Sequence, residues 1–143
     1  MIEKDPNGLD LKTPGAKADD GKPEVLRGVL QYFPRAVLEV AKVSRRGADK
    51  YSWKGWERVP DGIQRYGDAC ARHLLAESIE GPIDRDTSLL HAAQVAWNAL
   101  ARLELILRDM EKVRIKVDLI KETQGCLKDA KLDTKLFESF KKD

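Results

Sequence analysis

The sequence predicts an all-α fold, and three observations support that prediction. Apolar residues recur at spacings of three and four in several segments, which is the period of an amphipathic helix. No segment shows a convincing β-strand pattern. Proline and glycine stand at the expected ends of the periodic segments. We therefore expect a bundle of about four core helices with an added C-terminal helix.

Length and composition indicate one domain with tails. The chain has 143 residues, 42% of them hydrophobic, which is enough for one core but too few for two ordinary domains. Lys and Arg number 26 against 24 Asp and Glu, so the net charge of +2 gives no overall basic field for nucleic-acid binding. The two cysteines lie far apart, which argues against a zinc site or a disulfide framework. Without a signal peptide or a membrane-spanning segment, we expect a cytoplasmic protein.

The chain divides into an arm, a domain and a tail. Residues 1–23 carry repeated prolines and glycines, so we expect a mobile N-terminal arm. The all-α domain is predicted over residues 24–123, and an amphipathic helix over residues 124–143. Proline and glycine predict four helices within the domain. They span residues 24–33, 34–47 and about 60–77, with the fourth starting between 84 and 87.

Helix boundaries follow from three points in the sequence. Pro34 suits the first turn of a helix, where its missing N–H is not needed. Gly47 is expected to cap that helix at its C-terminal end. Gly81 and Pro82 end the third helix, because proline cannot continue one.

Residues 87–101 are fifteen consecutive positions without Lys, Arg, Asp or Glu, in a chain that is 35% charged. At helical spacing, one face of this segment is apolar and carries Leu89, Ala93, Ala96, Leu100 and Leu103. A second face, which we name the polar stripe, carries Thr87, His91, Gln94 and Asn98. We expect this helix to be buried nearly all round, with partners for the stripe inside the fold, because an unpaired buried polar group costs about 1–3 kcal/mol.

A second pattern follows the uncharged segment. Apolar residues alternate at spacings of four and three, as in a coiled coil, and we name them the apolar seam: Ile106, Met110, Val113, Val117 and Ile120. Gln124 and Gly125 are expected to break this helix. A small bundle has little inner surface to cover the seam, so either a second chain or the C-terminal helix must do so, and we predict an oligomer.

Candidate chemistry rests on carboxylates, because the chain has no catalytic-triad order, P-loop or dinucleotide-binding glycine motif. Glu77, Asp84 and Asp86 offer hard oxygen ligands for Mg²⁺ or Mn²⁺, and three carboxylates so close repel one another unless a cation lies among them. The alternative for this region is a half-solvated helix with a satisfied histidine at His73. Glu39 is either a metal ligand or part of a surface salt-bridge row beside Lys42.

Basic and aromatic residues permit two interpretations each. Lys50, Arg65 and Arg72 could clamp a polyphosphate, although isolated basic residues are usually solvated. Trp53 and Trp56 could stack on a base, although loop tryptophans more commonly pack onto their own bundle.

Seven short motifs occur in an order that resembles a known family. They are LEVAKV (38–43), GADKY (47–51), Trp56, RY (65–66), ARHL (71–74), IDRDTSLLHAA (83–93) and WNAL (97–100). This order is similar to that of the phage dATP/dGTP diphosphohydrolases, MazZ-like members of the MazG-like all-α nucleotide pyrophosphohydrolases. The likeness covers about Asp20 to Leu107. Departures include Lys42 where a paired ExxE motif would continue from Glu39, Pro82 in place of Glu, and the shorter Asp86.

The resemblance implies a helical enzyme, dimeric or tetrameric, that uses Mg²⁺ or Mn²⁺ to cleave purine deoxynucleoside triphosphates to monophosphate and pyrophosphate. It implies host cytoplasm if the gene is carried by a phage. Four carboxylates match the metal-binding positions, and all except Asp84 are also assigned a catalytic role: Glu39, Glu77, Asp84 and Asp86. Five residues match substrate-facing positions: Lys50, Arg72, His73, His91 and Asn98.

Two other functions compete with this one. A non-enzymatic helical oligomerisation or adaptor protein would explain the apolar seam but would leave the polar stripe without a purpose. A small nucleic-acid-binding module could use the basic residues between Arg45 and Arg58, against which the balanced overall charge counts.

Overall fold

The computed structural model describes the backbone of residues 3–139 and the side chains of residues 3–123. Over that range the chain is helical, and β pairing is limited to an isolated bridge between Ile83 and Leu90. The prediction of an all-α fold is therefore confirmed. The helices are a π-helical turn at Leu26–Gln31, α1 at Pro34–Lys50, a 3₁₀ turn at Gly55–Arg58, α2 at Gly62–Glu80 and α3 at His91–Ser139.

The first part of α3 forms the centre of the fold, because both α1 and α2 pack against it. On the α2 side, the Cys70 thiol lies 3.5 Å from the Val95 carbonyl oxygen. On the α1 side, Trp97 donates a hydrogen bond from its indole Nε1 to Ser44 Oγ at 2.7 Å. Among the described helices, none has the length and apolar character needed to cross a membrane.

An aromatic cluster holds the loop between α1 and α2 against α3. The Trp97 ring meets Trp56 and Tyr66 edge to face, with centroids 6.2 and 5.8 Å away. Tyr66 also donates its hydroxyl to the Trp56 carbonyl at 2.9 Å, and the Arg108 guanidinium lies 5.4 Å from the Trp56 ring. The interpretation of Trp56 as a residue that packs onto its own bundle is therefore confirmed.

Helix α1 starts at Pro34 as predicted but does not stop at Gly47. It continues to Lys50, and the Tyr51 N–H donates to the Gly47 carbonyl at 2.9 Å. A glycine inside a helix costs only about 1 kcal/mol relative to alanine, which is too little to end a helix by itself. Helix α2 extends past the predicted end near Glu77 to Glu80. Gly81 then terminates it at φ 94°, a conformation that favours glycine.

Helix α3 begins at His91 and not between residues 84 and 87. The preceding loop is closed by its own hydrogen bonds, among them Asp84 N–H to the Leu89 carbonyl at 2.9 Å and His91 N–H to the Pro82 carbonyl at 3.0 Å. Ser88 has φ 59°, which is left-handed. A right-handed helix cannot pass through such a residue, so the helix starts after it.

The expected break at Gln124 and Gly125 is wrong, since α3 continues through both residues to Ser139. Residues 124–139 therefore extend α3 along its axis and do not fold back over the apolar seam. The apolar face predicted for this segment, Leu132, Leu136, Phe137 and Phe140, lies outside the described side chains.

Residues 3–22, most of the predicted arm, form a series of turns around Asp5. The Asp5 carboxylate accepts backbone N–H groups of Lys17 and Asn7, each at 2.8 Å. The hydrogen bond from Lys17 is the main reason that the pKa of Asp5 is lowered. The Asp20 N–H also donates to the Lys4 carbonyl at 3.2 Å, so the end of the arm returns to its beginning.

The chain leaves much apolar surface uncovered. Its accessible area is 12291 Å², whereas a compact monomer of its mass exposes about 7,400 Å². On α3, His91, Gln94 and Asn98 are buried, while Leu100 and Leu103 are 57% and 51% exposed. The expectation of a helix buried nearly all round is therefore wrong for the single chain. Three of the four residues of the polar stripe are buried, Thr87 is partly exposed, and part of the apolar face is exposed.

Candidate functional site

A groove of about 1240 Å³ is lined by α1, α2 and α3. Ligand pockets for small molecules usually measure about 300–1,000 Å³, so this groove is large enough for a nucleotide. Its wall includes four basic side chains, Arg46, Lys50, Arg65 and Arg72. Aromatic residues line it as well: Tyr51, Trp53, Trp56, Tyr66 and Trp97.

The groove brings together four of the residues predicted for the site: Lys50, Arg72, Asp86 and Asn98. Lys50 and Arg72 are exposed, and neither takes part in an ion pair with another described residue. Lys50 Nζ lies 5.1 Å from the centre of the Tyr51 ring. These two cations are consequently available to an anionic ligand.

Asp84 is held by a network that starts on the polar stripe. Gln94 Nε2 and Thr87 Oγ1 donate to Asp84 Oδ2 at 2.7 and 2.9 Å, and the Asp86 N–H donates to Asp84 Oδ1 at 2.9 Å. Burial of Asp84 opposes ionisation, but these hydrogen bonds outweigh it and hold the pKa of Asp84 at about 2, below its usual 3.8. Asn98 Nδ2 donates to the Gln94 carbonyl at 2.8 Å. The stripe thus presents an ionised carboxylate beside the groove.

His73 and His91 lie next to each other, with their Nδ1 atoms 3.1 Å apart. Only one of the two can carry the proton between these atoms, so one ring donates and the other accepts. Burial lowers the pKa of His73, and the adjacent His91 lowers it further. Both effects favour the neutral form of His73.

His91 is only 3% exposed, and its second nitrogen has no partner. Nε2 makes no hydrogen bond to any described group. In one tautomer it is an unpaired acceptor and in the other an unpaired donor. Either state costs about 1–3 kcal/mol for a buried group, so the fold alone does not account for His91.

One set of three metal-ligand groups comes together among the described side chains: His73, Asp84 and His91. Their ligand atoms all lie within 4.8 Å of one another. They come from α2, the loop before α3 and the first residue of α3. Sequence spacing could not show that His73 and His91 meet, because their separation in space is set by how α2 packs on α3. The polar stripe was the available signal that His91 needs a partner inside the fold.

The other three predicted carboxylates lie outside this set of three. Glu39 accepts a hydrogen bond from Lys42 Nζ at 2.6 Å on α1. Glu77 lies partly buried on α2, one turn beyond His73. Asp86 is exposed on the wall of the groove. The four carboxylates are thus distributed over α1, α2 and the loop.

Sequence reasoning missed the cluster around Arg108. Its guanidinium pairs with Glu57 at 3.2 Å and with Glu104 at 2.8 Å, which ties the 3₁₀ turn to α3. The hydrogen bond from Arg108 is the main reason that the pKa of Glu57 is lowered. Only the i,i+4 spacing of Glu104 and Arg108 was visible in the sequence.

Comparison with known proteins identifies one family. Residues 12–114 match the family described as dATP/dGTP diphosphohydrolase, N-terminal. The matched range contains every residue that lines the groove and all three members of the His73, Asp84 and His91 set. No curated protein and no solved structure is detectably similar to the chain.

Proposed function

This chain belongs to the dATP/dGTP diphosphohydrolase N-terminal family, and on that basis we propose that it hydrolyses purine deoxynucleoside triphosphates to monophosphate and pyrophosphate. We place it among the MazG-like all-α pyrophosphohydrolases, in the cytoplasm of the host if the gene is carried by a phage. One water is added across the bond between the α phosphorus and the oxygen that bridges to the β phosphorus. The pyrophosphate then leaves.

The groove is the observation that carries this proposal. It combines unpaired cations, an aromatic wall and acidic side chains within one open space. A triphosphate carries several negative charges, which Lys50, Arg65 and Arg72 would neutralise, the arginines in a bidentate manner. Trp53 is 63% exposed on the same wall, so it can stack on a purine ring.

Carboxylates near the groove fit a divalent cation such as Mg²⁺ or Mn²⁺. Asp84 is ionised, and its Oδ1 accepts a single described hydrogen bond, so a lone pair remains. Asp86 is exposed beside it. The residues proposed to hold the cation are Glu39, Glu77, Asp84 and Asp86. When bound, the cation would neutralise phosphate charge and favour departure of pyrophosphate.

The side chains then have separate roles in the proposal. Glu77 and Asp86 orient the attacking water, and one of the two accepts the proton that the water loses. Glu39 is the alternative proton acceptor once it releases Lys42, with which it is paired in this structure. Substrate is held by the remaining predicted residues, which are Lys50, Arg72, His73, His91 and Asn98.

A homo-oligomer, dimeric or tetrameric, is part of the same proposal. Four residues of the apolar seam are exposed by 43–63%: Met110, Val113, Val117 and Ile120. The continuous α3 removes the C-terminal helix as a cover for the seam. A second copy of the chain, with the same seam, supplies a matching apolar surface.

The deciding experiment incubates the protein with each nucleoside triphosphate and Mg²⁺, followed by chromatography of the products. We expect dATP and dGTP to yield the monophosphate and pyrophosphate faster than other nucleotides. Lys50→Gln should reduce this turnover, whereas Lys54→Gln, which alters a lysine outside the groove lining, should not. Release of orthophosphate with a diphosphate would overturn the reaction. Absence of turnover by a folded oligomer would favour the adaptor function.

A further inference from the structure

Two imidazoles and a carboxylate from three chain segments converge beside the groove. His73 lies in α2, Asp84 in the loop before α3, and His91 is the first residue of α3. We propose that these three residues bind one divalent transition-metal ion, such as Zn²⁺ or Co²⁺, in addition to the Mg²⁺ that accompanies the nucleotide. Asp84 would then serve both ions, and His73 and His91 would act on the nucleotide through the bound metal.

The spacing of the two rings suits joint coordination. Metal–nitrogen bonds to histidine measure about 2.0–2.1 Å, so two nitrogens 3.1 Å apart subtend an angle of about 95–100° at a shared metal. That angle lies between octahedral and tetrahedral geometry. One nitrogen of each ring and one Asp84 oxygen lie within 4.8 Å of one another, so a small movement would bring three ligands to one metal.

His91 gives a second, independent reason for a ligand. Its Nε2 is buried and has no partner among the described groups. Coordination of His91 through Nε2 would satisfy that atom and keep the Nδ1 contact with His73, whereas coordination through Nδ1, which the 3.1 Å spacing suits, leaves the proton on Nε2. Because His91 is only 3% exposed, solvent supplies little of the bonding that its two ring nitrogens need.

The polar stripe gains a purpose in this arrangement. Thr87 and Gln94 hold Asp84 by hydrogen bonds to Oδ2, as groups behind metal-binding carboxylates commonly do. Asn98 in turn donates to the Gln94 carbonyl. Three of the four stripe residues thus position the carboxylate or its support, and the fourth, His91, is a ligand.

The donor set determines the class of metal. Mg²⁺ prefers oxygen ligands throughout, whereas imidazole nitrogens suit zinc, cobalt and iron. Three protein ligands also leave an open position, and Gln94 lies both beside Asp84 and on the groove wall.

The test strips the full chain of metal and titrates it with Co²⁺, with binding measured by calorimetry and the coordination geometry reported by visible absorption. We expect one Co²⁺ per chain, displaced by Zn²⁺. His73→Gln should weaken Co²⁺ binding by at least about 100-fold, and Thr87→Val by about 10-fold, in line with the loss of groups behind a ligand. Glu80→Gln, an exposed residue at the end of α2, is the matched control and should bind normally.

Two results would overturn the proposal. One is absence of Co²⁺ binding to the folded wild-type chain, and the other is equal affinity in wild type and His73→Gln. His73 is only partly buried, so this variant should fold even if His91→Gln does not, and circular dichroism checks its helix content. No nucleotide enters the titration, so failure of nucleotide hydrolysis would produce neither result.

Discussion

Two successive regions of helix α3 differ in which side chains they bury and which they expose. In residues 91–101 the buried groups are polar or small: His91, Gln94 and Asn98, with Ala93 and Ala101. In residues 110–120 large apolar side chains lie in solvent, including Met110 at 63% and Val113 at 61% exposure. Both regions therefore reverse the usual rule that apolar groups are buried and polar groups are not.

The difference indicates what each region lacks. The first region has satisfied most of its polar groups through Asp84 and the stripe, and His91 Nε2 marks where a ligand is still needed. The second region lacks an apolar partner. A partner would stabilise it, because burying a side chain such as Val or Ile contributes about 1.5–3 kcal/mol. In our proposals, α3 would bind a ligand at its start and contact a second chain further along.

A charge in the apolar seam should have the largest effect. Val113→Glu places a carboxylate where we expect two chains to meet, and burial of an unpaired charge is strongly unfavourable. We expect the dissociation constant of the oligomer to rise by a factor of about 10³ or more. Light scattering would measure this as a fall in mass toward the 16.1 kDa of one chain.

Lys116→Glu is the matched control for that variant, since Lys116 lies outside the seam and is exposed. It changes the charge by a larger amount and should leave the mass unaltered. A wild-type protein that already scatters as a single chain would show that the seam needs no partner.

Variants of Glu77 and Asp86 test whether the proposed ligand site is catalytic. If Glu77 and Asp86 act on the attacking water or hold the cation, Glu77→Gln or Asp86→Asn should lower kcat by about 10² or more without loss of helix content. Steady-state assay with dATP and dGTP measures this. Glu80→Gln on the same helix should behave as wild type. Near-normal kcat in both variants would mean that Glu77 and Asp86 have no catalytic role.

Asn98→Leu tests whether the buried stripe is there for the site or for the fold. Asn98 donates to the Gln94 carbonyl one turn earlier, an acceptor already used within α3, so its loss should cost little stability. We expect Tm to change by only a few degrees and kcat/KM to fall roughly fivefold to tenfold, about 1–1.4 kcal/mol of binding. Thermal melts and kinetics on one preparation give both values.

The opposite pattern for Asn98→Leu would be informative. A large fall in Tm with normal specific activity of the folded fraction would mean that this part of the stripe is structural.

The smallest effect is expected for the ion pair between Glu57 and Arg108. Arg108 lies on α3 between the two regions, and Glu57 lies in the 3₁₀ turn. The hydrogen bond from Arg108 lowers the pKa of Glu57 relative to the ordinary 4.5. A lowered carboxylate pKa stabilises the fold above the unfolded pKa, and this contribution is lost as pH falls through the folded pKa. Glu57→Gln should therefore be slightly less stable than wild type at pH 7. Denaturant-induced unfolding should show that the difference in free energy of unfolding between the two proteins shrinks below about pH 4.5. A difference independent of pH would rule out the ion pair as its source.

Local signals in the sequence predicted the secondary structure well. Pro34 begins α1, Gly81 ends the second long helix, and the spacing of apolar residues gave the all-α fold. These features depend on neighbours within a few positions, so they can be predicted from a single sequence. Gly47 and Gly125 were over-interpreted, because one glycine weakens a helix without stopping it.

The candidate site could be predicted only in part. The polar stripe identified His91, Gln94 and Asn98 as buried groups in need of partners, and they are buried. The sequence did not show that His73 is the neighbour of His91 or that Gln94 binds Asp84. Those contacts join segments that are 18 and 10 residues apart, and they depend on how α2 and the loop pack on α3.

The sequence by itself determined that this chain is helical, where α1 and α2 begin, and that Gly81 ends α2, because those choices follow from local hydrogen bonding and backbone sterics. Tertiary structure decided which face of α3 is buried and which residues form the metal-ligand set. Amphipathic spacing separates a polar face from an apolar one, but it does not say which neighbour each face meets. Here α2 and the loop meet the polar face, and Leu100, Leu103 and most of the seam are left exposed.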